Sequence, residues 1–350
     1  MTRMTHMTGA VLPGNRTLEF RQYEVPQPTG SQVLIRMKAS SLCGSDLRAI
    51  YRPMNQGHGP EAYRGVIAGH EPSGVVEEIG RDVTAFATGD RVVVYHIAGC
   101  GLCPECRAGY MISCRSPARA AYGWQRDGGH APFLLAEERT LVKLPDFLTY
   151  VDGALIACGF GTAFAACERA DVSGADRVLV TGLGPVGLSV ALIARAMGAQ
   201  VYGVESVPER LEQARSLGFD QLLEPGEGAR EQLLGWSGGE GFEVALDCSG
   251  VSSARTLCLE AARTWGRVVL VGEGGTFEFA PSPLLIHKQL SLLGSWVCSV
   301  GQMVRLVELL ERWELHPEQT VTHRFTLEQA REAYEVFDTG KTGKVVIVWE

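Results

Sequence analysis

The sequence has no excess of positive charge and no long apolar segment. Its 350 residues include 32 Lys and Arg against 40 Asp and Glu, a net charge of −8. That balance argues against nonspecific binding to nucleic acid or to acidic membranes, which needs clustered basic residues. No run of about 18 apolar residues is present, so we expect no membrane span. The start, MTRMTHMTGAVLPG, lacks the apolar core of a signal peptide and indicates either a frayed tail or an early start codon; we expect a cytoplasmic protein.

Apolar residues make up 45% and charged residues 21%, as in globular proteins. A chain of this length exceeds one ordinary domain, so we expect two. The chain also contains ten cysteines. Without a secretion signal they are poor candidates for disulfides, which favours metal binding or catalysis.

Two patterns follow one another along the chain. Up to residue 155, short runs such as VLIRM and RVVVYHI are separated by Gly, Pro and Asp, which predicts a β-rich region. From about residue 176, strands such as RVLVTG alternate with helices such as PVGLSVALIARAMGA and SARTLCLEAARTWG, which predicts a doubly wound parallel sheet. We therefore expect a β-rich domain over 1–155 and 297–350, with a cysteine lobe at 99–115, and a Rossmann domain over 156–296.

A glycine-rich turn between a strand and a helix predicts a dinucleotide site. In VTGLGPVG, Gly182, Gly184 and Gly187 have the spacing G-x-G-x-x-G, which lets backbone N–H groups approach a pyrophosphate. A turn without a ligand can show the same spacing. Glu205 ends the next strand, where a carboxylate can accept hydrogen bonds from the adenosine ribose, and SVPE after it contains no basic residue. This favours NAD over NADP.

Four cysteines lie close together in GCGLCPECRAGYMISC. Cys100, Cys103, Cys106 and Cys114 have the spacing C-x2-C-x2-C-x7-C. Four thiolates suit a closed tetrahedral zinc site, which leaves no position for a substrate. Four free thiols in one loop would be prone to oxidation. We therefore predict a structural zinc, which by itself indicates no reaction.

A second set of candidate metal ligands is dispersed: Cys43 in CGSD, His70 and Glu71 in GHE, and Cys158 in ACGFGTAF. Two thiolates and an imidazole form the open ligand set of a catalytic zinc. Singly, each residue has an alternative. The cysteines could fill the core, as we assume for Cys167, Cys248, Cys258 and Cys298, and His70 could be a hydrogen-bonded core histidine.

In this order and separation, CGSD, GHE, the cysteine lobe and GLGPVG resemble the zinc-dependent medium-chain dehydrogenase family of alcohol and polyol dehydrogenases. The resemblance covers nearly the whole chain, including DGGHAPF, KLPD and TGKVVI. It implies an α/β protein with a GroES-like β-rich catalytic domain and a Rossmann domain. It also implies two Zn²⁺ ions per chain, an NAD cofactor and a homodimer or homotetramer.

The resemblance also implies roles for individual residues. Cys43, His70 and Cys158 would hold the catalytic zinc, and Glu71 would join them when water or substrate leaves. Many polyol and sugar members have glutamate in place of Cys158, whereas CGFGTAF is similar to the primary-alcohol branch. The residues implied to contact the cofactor, besides the three glycines and Glu205, are Thr162, Pro185, Val186, Arg210, Val271 and Gly272. Arg210 could equally be a solvated helix residue.

Two further residues match a proton-transfer pathway. Asp46 would orient His70, and Ser45 would accept the proton of a zinc-bound alcohol while the hydride passes to the nicotinamide. Helix capping is the alternative role for both. Two positions after Asp46 many members have a histidine, but this chain has Arg48, which cannot release a proton near neutral pH. Release would use water, a cofactor ribose or a group such as His58. We expect Arg48 to neutralise an acidic group or bind a substrate oxygen.

The substrate pocket is less well specified. His96, Tyr51, Trp124 and Trp296 are candidate lining residues, although the two tryptophans fit structural positions equally well. The polar members favour a secondary alcohol of a sugar, cyclitol or polyol over L-threonine or a simple alcohol. A noncatalytic NAD-binding zinc protein would not need the dispersed ligands. A zinc-free quinone or enone reductase would lack both cysteine groups.

Overall fold

The computed structural model describes residues 4–54 and 62–350. In chain order the strands are β1 His6–Gly14, β2 Thr17–Glu24, β3 Gln32–Ser41, β4 Glu71–Ile79, β5 Arg91–Val94, β6 Ile97–Ala98, β7 Ala120–Ala121, β8 Phe133–Glu137, β9 Leu141–Lys143, β10 Arg177–Thr181, β11 Gln200–Val204, β12 Leu222–Leu223, β13 Phe242–Asp247, β14 Ala262–Leu270, β15 Ser291–Gly294, β16 Val321–Phe325 and β17 Lys344–Val348. The α-helices are α1 Gly44–Asp46, α2 Pro104–Arg107, α3 Tyr150–Leu155, α4 Gly161–Arg169, α5 Pro185–Ala196, α6 Pro208–Ser216, α7 Ala229–Trp236, α8 Ser252–Ala261, α9 Val300–Arg312 and α10 Ala330–Asp338.

The chain divides into two compact units. The first runs to Gly161 and resumes at Cys298, and the second comprises Thr162–Val297. The first junction thus lies after Gly161 rather than after residue 155, because α3 continues into a π-helical turn, Ile156–Phe160, that contacts β4 and β5. The second junction lies after Val297, one position beyond the expected one.

The first unit is built on a seven-stranded sheet. Its strand order is β16-β17-β3-β4-β5-β9, and β8 also pairs with β3. The inward side chains of β3 include Val33, Ile35 and Met37, which are buried in one core. The strands β3 and β4 are antiparallel, and Ser41 at the end of β3 pairs with Glu71 at the start of β4. Cys43 and His70 lie just beyond these strand ends, so they are brought together at the same end of the two strands.

Residues 6–14 form a strand, so for the described residues of this segment the expectation of a frayed tail was wrong. The strand β1 pairs with β2 in an antiparallel hairpin. Val11 and Leu12 in β1 are fully buried. Asn15 and Arg16 both have positive φ, 50° and 56°, as a two-residue hairpin turn of type I′ requires.

The second unit is a six-stranded parallel sheet with the order β12-β11-β10-β13-β14-β15. This is the doubly wound arrangement predicted from the alternation of strands and helices, and the strand order reverses between β10 and β13. The helix expected in SARTLCLEAARTWG ends earlier, at Ala261. The Lys288 ammonium donates hydrogen bonds to the carbonyls of Leu259, Glu260 and Ala262, which satisfies the end of α8 and lets β14 begin.

One segment, Tyr150–Arg169, is long and apolar enough to cross a membrane by length and composition. The π-turn joins α3 and α4 into this helical run of 20 residues, which the sequence alone did not show. However, 83% of its most apolar stretch is buried inside the protein. The core helix of a globular protein has the same properties.

Candidate functional site

The four dispersed ligand candidates lie together near the point where β3 ends and β4 begins. The ligand atoms of Cys43, His70, Glu71 and Cys158 all lie within 4.8 Å of one another. Cys43 directly precedes α1, and Cys158 lies in the π-turn Ile156–Phe160. Gly69 has φ +90°, and a Cβ there would lie 2.3 Å from Nδ1 of the buried His130. A glycine is therefore needed for the chain to turn into His70.

Asp46 fixes the orientation of the His70 ring. Its fully buried carboxylate has Oδ1 at 2.8 Å from Nδ1 of His70, and Oδ2 accepts a hydrogen bond from the Cys43 amide at 3.0 Å. Because a carboxylate only accepts, Nδ1 carries the proton and Nε2 presents a lone pair to the two thiols. The Ser45 hydroxyl lies 3.4 Å from that Nε2. Ser45 and Asp46 thus both face the ligand group.

The electrostatics of this group favour a cation. A hydrogen bond from Cys158 and the charge of His70 lower the pKa of Cys43 well below its usual value, despite burial. Burial opposes a charge on His70, but the charges of Asp46 and Cys43 outweigh it and raise its pKa. The raised pKa of His70 means that its surroundings stabilise a positive charge. Two thiols, an imidazole and a carboxylate are also donors that zinc prefers, so these residues fit a zinc ion.

Glu71 is held at one oxygen only. Its Oε2 accepts hydrogen bonds from the Lys344 ammonium and the Ser41 hydroxyl, and Lys344 also donates to the Leu42 carbonyl at 3.1 Å. Burial raises the pKa of Glu71 to about 8, although Lys344 acts in the opposite direction. The other oxygen, Oε1, is buried and has no hydrogen-bond partner among the described residues. A buried oxygen without a partner, on a residue that belongs to this ligand group, is consistent with a metal position.

The four-cysteine lobe forms a second group. The Sγ atoms of Cys100, Cys103, Cys106 and Cys114 all lie within 4.8 Å of one another. Cys100 accepts hydrogen bonds from the amides of Leu102 and Cys103, each at 3.4 Å, which lower its pKa to about 6. This all-sulfur donor set also fits zinc. Within 4–54 and 62–350, no further cluster of this kind is present.

The glycine-rich turn lies in the second unit, after β10. Gly182 has φ +80°, and a Cβ on Gly187 would lie 1.8 Å from the Gly182 carbonyl oxygen, so the close approach requires glycine. Pro185 and Val186 are the first two residues of α5. A helix N-terminus behind such a turn is suited to a phosphate.

Glu205, expected to bind ribose, is buried and supports the same turn. Its carboxylate accepts hydrogen bonds from the amides of Leu183 at 2.7 Å, Ser206 at 2.7 Å and Val207 at 3.0 Å. The Arg210 Nη1 is 3.7 Å from its Oε2. Of the other predicted cofactor contacts, Thr162 is half-buried in α4, and Val271 and Gly272 directly follow β14.

The predicted substrate residues are placed differently from one another. His96 is 6% exposed, with its ring centroid 5.3 Å from that of His70. Its Nδ1 donates to the Ala157 carbonyl at 2.8 Å, and burial lowers its pKa to about 4, so the ring is neutral. Tyr51 is 2% exposed in the core, 5.1 Å from the Tyr334 ring. Trp124 packs on that core, whereas Arg48 is exposed. Trp296 belongs to the second unit and is 56% exposed. His58 lies outside the described residues.

Comparison with known proteins decides the family. The family model described as "Alcohol dehydrogenase GroES-like domain" matches residues 29–146, and the one described as "Zinc-binding dehydrogenase" matches residues 185–312. An Escherichia coli K12 protein named "Uncharacterized zinc-type alcohol dehydrogenase-like protein YphC" is 48% identical over 98% of this chain and 99% of its own. The chain is a zinc-dependent medium-chain dehydrogenase.

Other relatives of this dehydrogenase carry narrower names. Human sorbitol dehydrogenase is 31% identical over 96% of this chain and 94% of its own, and L-threonine 3-dehydrogenase from Rhizobium etli CIAT 652 is 30% identical over 99% and 100%. Among solved structures, alcohol dehydrogenase TADH from Thermus sp. ATN1 has a TM-score of 0.85 and 28% identity, with 97% and 99% of the two chains covered. The GroES-like and Rossmann architecture is thereby confirmed, and the dehydrogenase is an oxidoreductase.

Two groups in the first unit of the dehydrogenase escaped the sequence reasoning. Lys344 was recognised only as part of the closing strand, and nothing near it in the sequence identifies Glu71 as its partner. His130 is fully buried and bonds to the Ser40 hydroxyl at 3.0 Å and the Tyr334 hydroxyl at 3.1 Å. No local pattern in the sequence marks it.

Proposed function

We propose that this dehydrogenase transfers a hydride between NAD and a secondary alcohol of a sugar, cyclitol or polyol. The observation that carries the proposal is the group of Cys43, His70 and Cys158, with Asp46 orienting the imidazole. The resemblance to sorbitol dehydrogenase supports a polyol. The similar resemblance to L-threonine 3-dehydrogenases makes L-threonine the second candidate, and a simple alcohol is a third.

Two zinc ions per chain are part of the proposal. Cys43, His70 and Cys158, with Glu71 beside them, would hold one, and the four cysteines of the lobe would hold the other. A zinc at the first site would supply Lewis-acid polarisation of the substrate oxygen. The lobe has no donor position left for a substrate, so its role is structural.

The protein's own groups would handle the proton. The Ser45 hydroxyl is a donor and acceptor beside the ligand group, so it can take the alcohol proton and pass it on. Asp46 would keep Nδ1 of His70 protonated, so that Nε2 faces inward. Neutral His96 can act only as a neutral hydrogen-bonding group near a substrate. Arg48 would bind a substrate oxygen or an acidic group, since it cannot release a proton.

Glu205 is the basis for choosing NAD. Its Oε1 accepts from the Ser206 and Val207 amides, but its Oε2 has only the Leu183 amide at hydrogen-bond distance among the described residues. One lone pair therefore remains for a ribose hydroxyl. A 2′-phosphate would meet this buried carboxylate and be repelled. Arg210 would lie beside the adenosine.

A substrate panel tests the proposal. We expect the zinc-loaded protein to reduce NAD with at least one polyol, sugar or cyclitol, to use NADP less well, and to be slower with L-threonine and simple alcohols. The measurement is the absorbance of the reduced cofactor across the panel with both cofactors. Faster turnover of L-threonine or ethanol would replace the substrate class. No reaction with any alcohol or ketone, with zinc bound, would refute the proposed reaction.

We also propose that the protein forms a homodimer or homotetramer through the edge of the second sheet. The strand β15 lies at that edge with Leu292 and Leu293 half-buried, and Ile286 and Trp265 nearby in the chain are 62% and 67% exposed. An unpaired strand edge is a template for pairing with a second copy. Light scattering should give an oligomer for the wild type and a smaller species for Leu292→Lys. A monomeric wild type would contradict this.

A further inference from the structure

Three loops rich in glycine meet at the carboxyl ends of β10, β13 and β14. A Cβ on Gly182 would lie 2.7 Å from Ser249, and one on Gly272 would lie 2.2 Å from the Gly250 amide nitrogen. The loops therefore contact one another through backbone. In open parallel sheets, ligands bind at the carboxyl ends of the strands where the strand order reverses, which here is between β10 and β13.

A buried ion pair lies beneath these loops. Asp247, the last residue of β13, is fully buried, and its Oδ2 is 3.2 Å from Nε of Arg255 in α8, whose side chain is 8% exposed. The carboxylate also accepts from the Thr181 hydroxyl at 3.1 Å, the Ser249 amide at 3.0 Å and the Gly250 amide at 3.1 Å. Asp247 thus ties the ends of β10 and β13 together and holds the arginine.

The guanidinium extends this connection to the third loop. Its Nη2 donates to the carbonyls of Gly272 at 2.7 Å and Gly274 at 2.9 Å. Gly274 and Gly275 both have positive φ, +96° and +64°. Glycines lose more backbone freedom on ordering than any other residue, so this loop has little rigidity of its own. The two hydrogen bonds from Arg255 fix the conformation of this loop.

We propose that Arg255, held by Asp247, is a positioning residue for the dinucleotide, which it serves by fixing the backbone of Gly272–Gly274 before the cofactor arrives. The inference rests on the proposed NAD site in this unit. A preordered loop spares the cofactor the entropic cost of ordering it, so the arginine contributes to cofactor affinity without touching the reacting atoms.

The test is a fluorescence titration of the zinc-loaded, full-length protein with NADH. Arg255→Met is expected to weaken NADH binding about tenfold or more, while kcat at saturating NAD and substrate changes much less. Arg255→Lys keeps a positive charge for Asp247 but loses the guanidinium that donates to the Gly272 and Gly274 carbonyls. This variant should be stable and still bind NADH weakly. The double variant Asp247→Asn, Arg255→Met avoids an unpaired buried charge and keeps the test valid if the single variant unfolds.

A matched control lies at the opposite end of the same sheet. Arg267 in β14 pairs with Asp176 at 2.5 Å and donates to the Ala170 and Asp171 carbonyls, each at 2.7 Å. Arg267→Met should lower stability but leave NADH affinity within about twofold, because it lies away from the carboxyl ends. Equal weakening by Arg267→Met, or wild-type affinity in Arg255→Met, would overturn the inference. A wild type that binds neither NADH nor NADPH would instead refute the proposed cofactor site.

Discussion

Replacing Cys158 by serine is expected to reduce the zinc content from two ions per chain to one and to lower alcohol oxidation by about 10³-fold or more. A serine hydroxyl is not ionised near neutral pH, so the remaining thiol, imidazole and carboxylate would hold zinc far less well. Lewis-acid stabilisation by a bound metal is worth several kcal/mol, and each 1.36 kcal/mol is about a factor of ten in rate. Elemental analysis of the purified protein and steady-state kinetics measure the two effects.

The matched control is Cys167→Ser. Cys167 is also a buried thiol, but it belongs to neither ligand group. Among the described residues its Sγ has only the Val190 carbonyl, at 4.0 Å, as a hydrogen-bond partner. This variant reports the cost of placing a hydroxyl in the core, and it should keep both zinc ions and the wild-type kcat. If Cys158→Ser also kept two zinc ions and full activity, the assignment of the dispersed ligands would be wrong.

Sites whose residues lie close together in the sequence were easier to predict than sites whose residues lie far apart. The four cysteines of the lobe lie within fifteen residues, so spacing alone indicated a tetrahedral site. The glycine turn and Glu205 belong to one β-α-β unit, which the alternation of strands and helices revealed. Cys43, His70 and Cys158 come from separate elements, so their residue types and the family resemblance made them candidates without a physical reason for their proximity. The pairing of β3 with β4 supplies that reason for Cys43 and His70.

Two features had no usable signal in the sequence. Lys344 lies 273 positions from Glu71, and nothing local to either residue indicates that β17 and β4, which both pair with β3, bring them together. The strand β1 buries four consecutive residues, Gly9–Leu12, so the alternation of buried and exposed residues that marks a strand with one solvent-facing side is absent. Both were visible only once the tertiary pairing was known.

Replacing Lys344 by methionine is expected to lower the free energy of unfolding by about 3–5 kcal/mol, the usual cost of breaking one partner of a buried ion pair. Lys344 is 1% exposed and Glu71 is fully buried, so the variant would leave the Glu71 carboxylate in the core without its only cationic hydrogen-bond partner among the described residues. The measurement is denaturant unfolding above about pH 8, where the Glu71 carboxyl is ionised, and at a fixed free zinc concentration, because metal binding itself shifts the apparent stability.

Two further variants separate the charge of Lys344 from its packing. In the double variant Glu71→Gln, Lys344→Met no buried charge is left unpaired, so it should recover much of the lost stability. Arg36→Met breaks an ion pair of similar type, Arg36 with Glu77 at 2.9 Å, but those side chains are 45% and 43% exposed. Arg36→Met should therefore lower the free energy of unfolding by less than about 1 kcal/mol. If Lys344→Met were no less stable than Arg36→Met, Glu71 would not be charged in the folded protein.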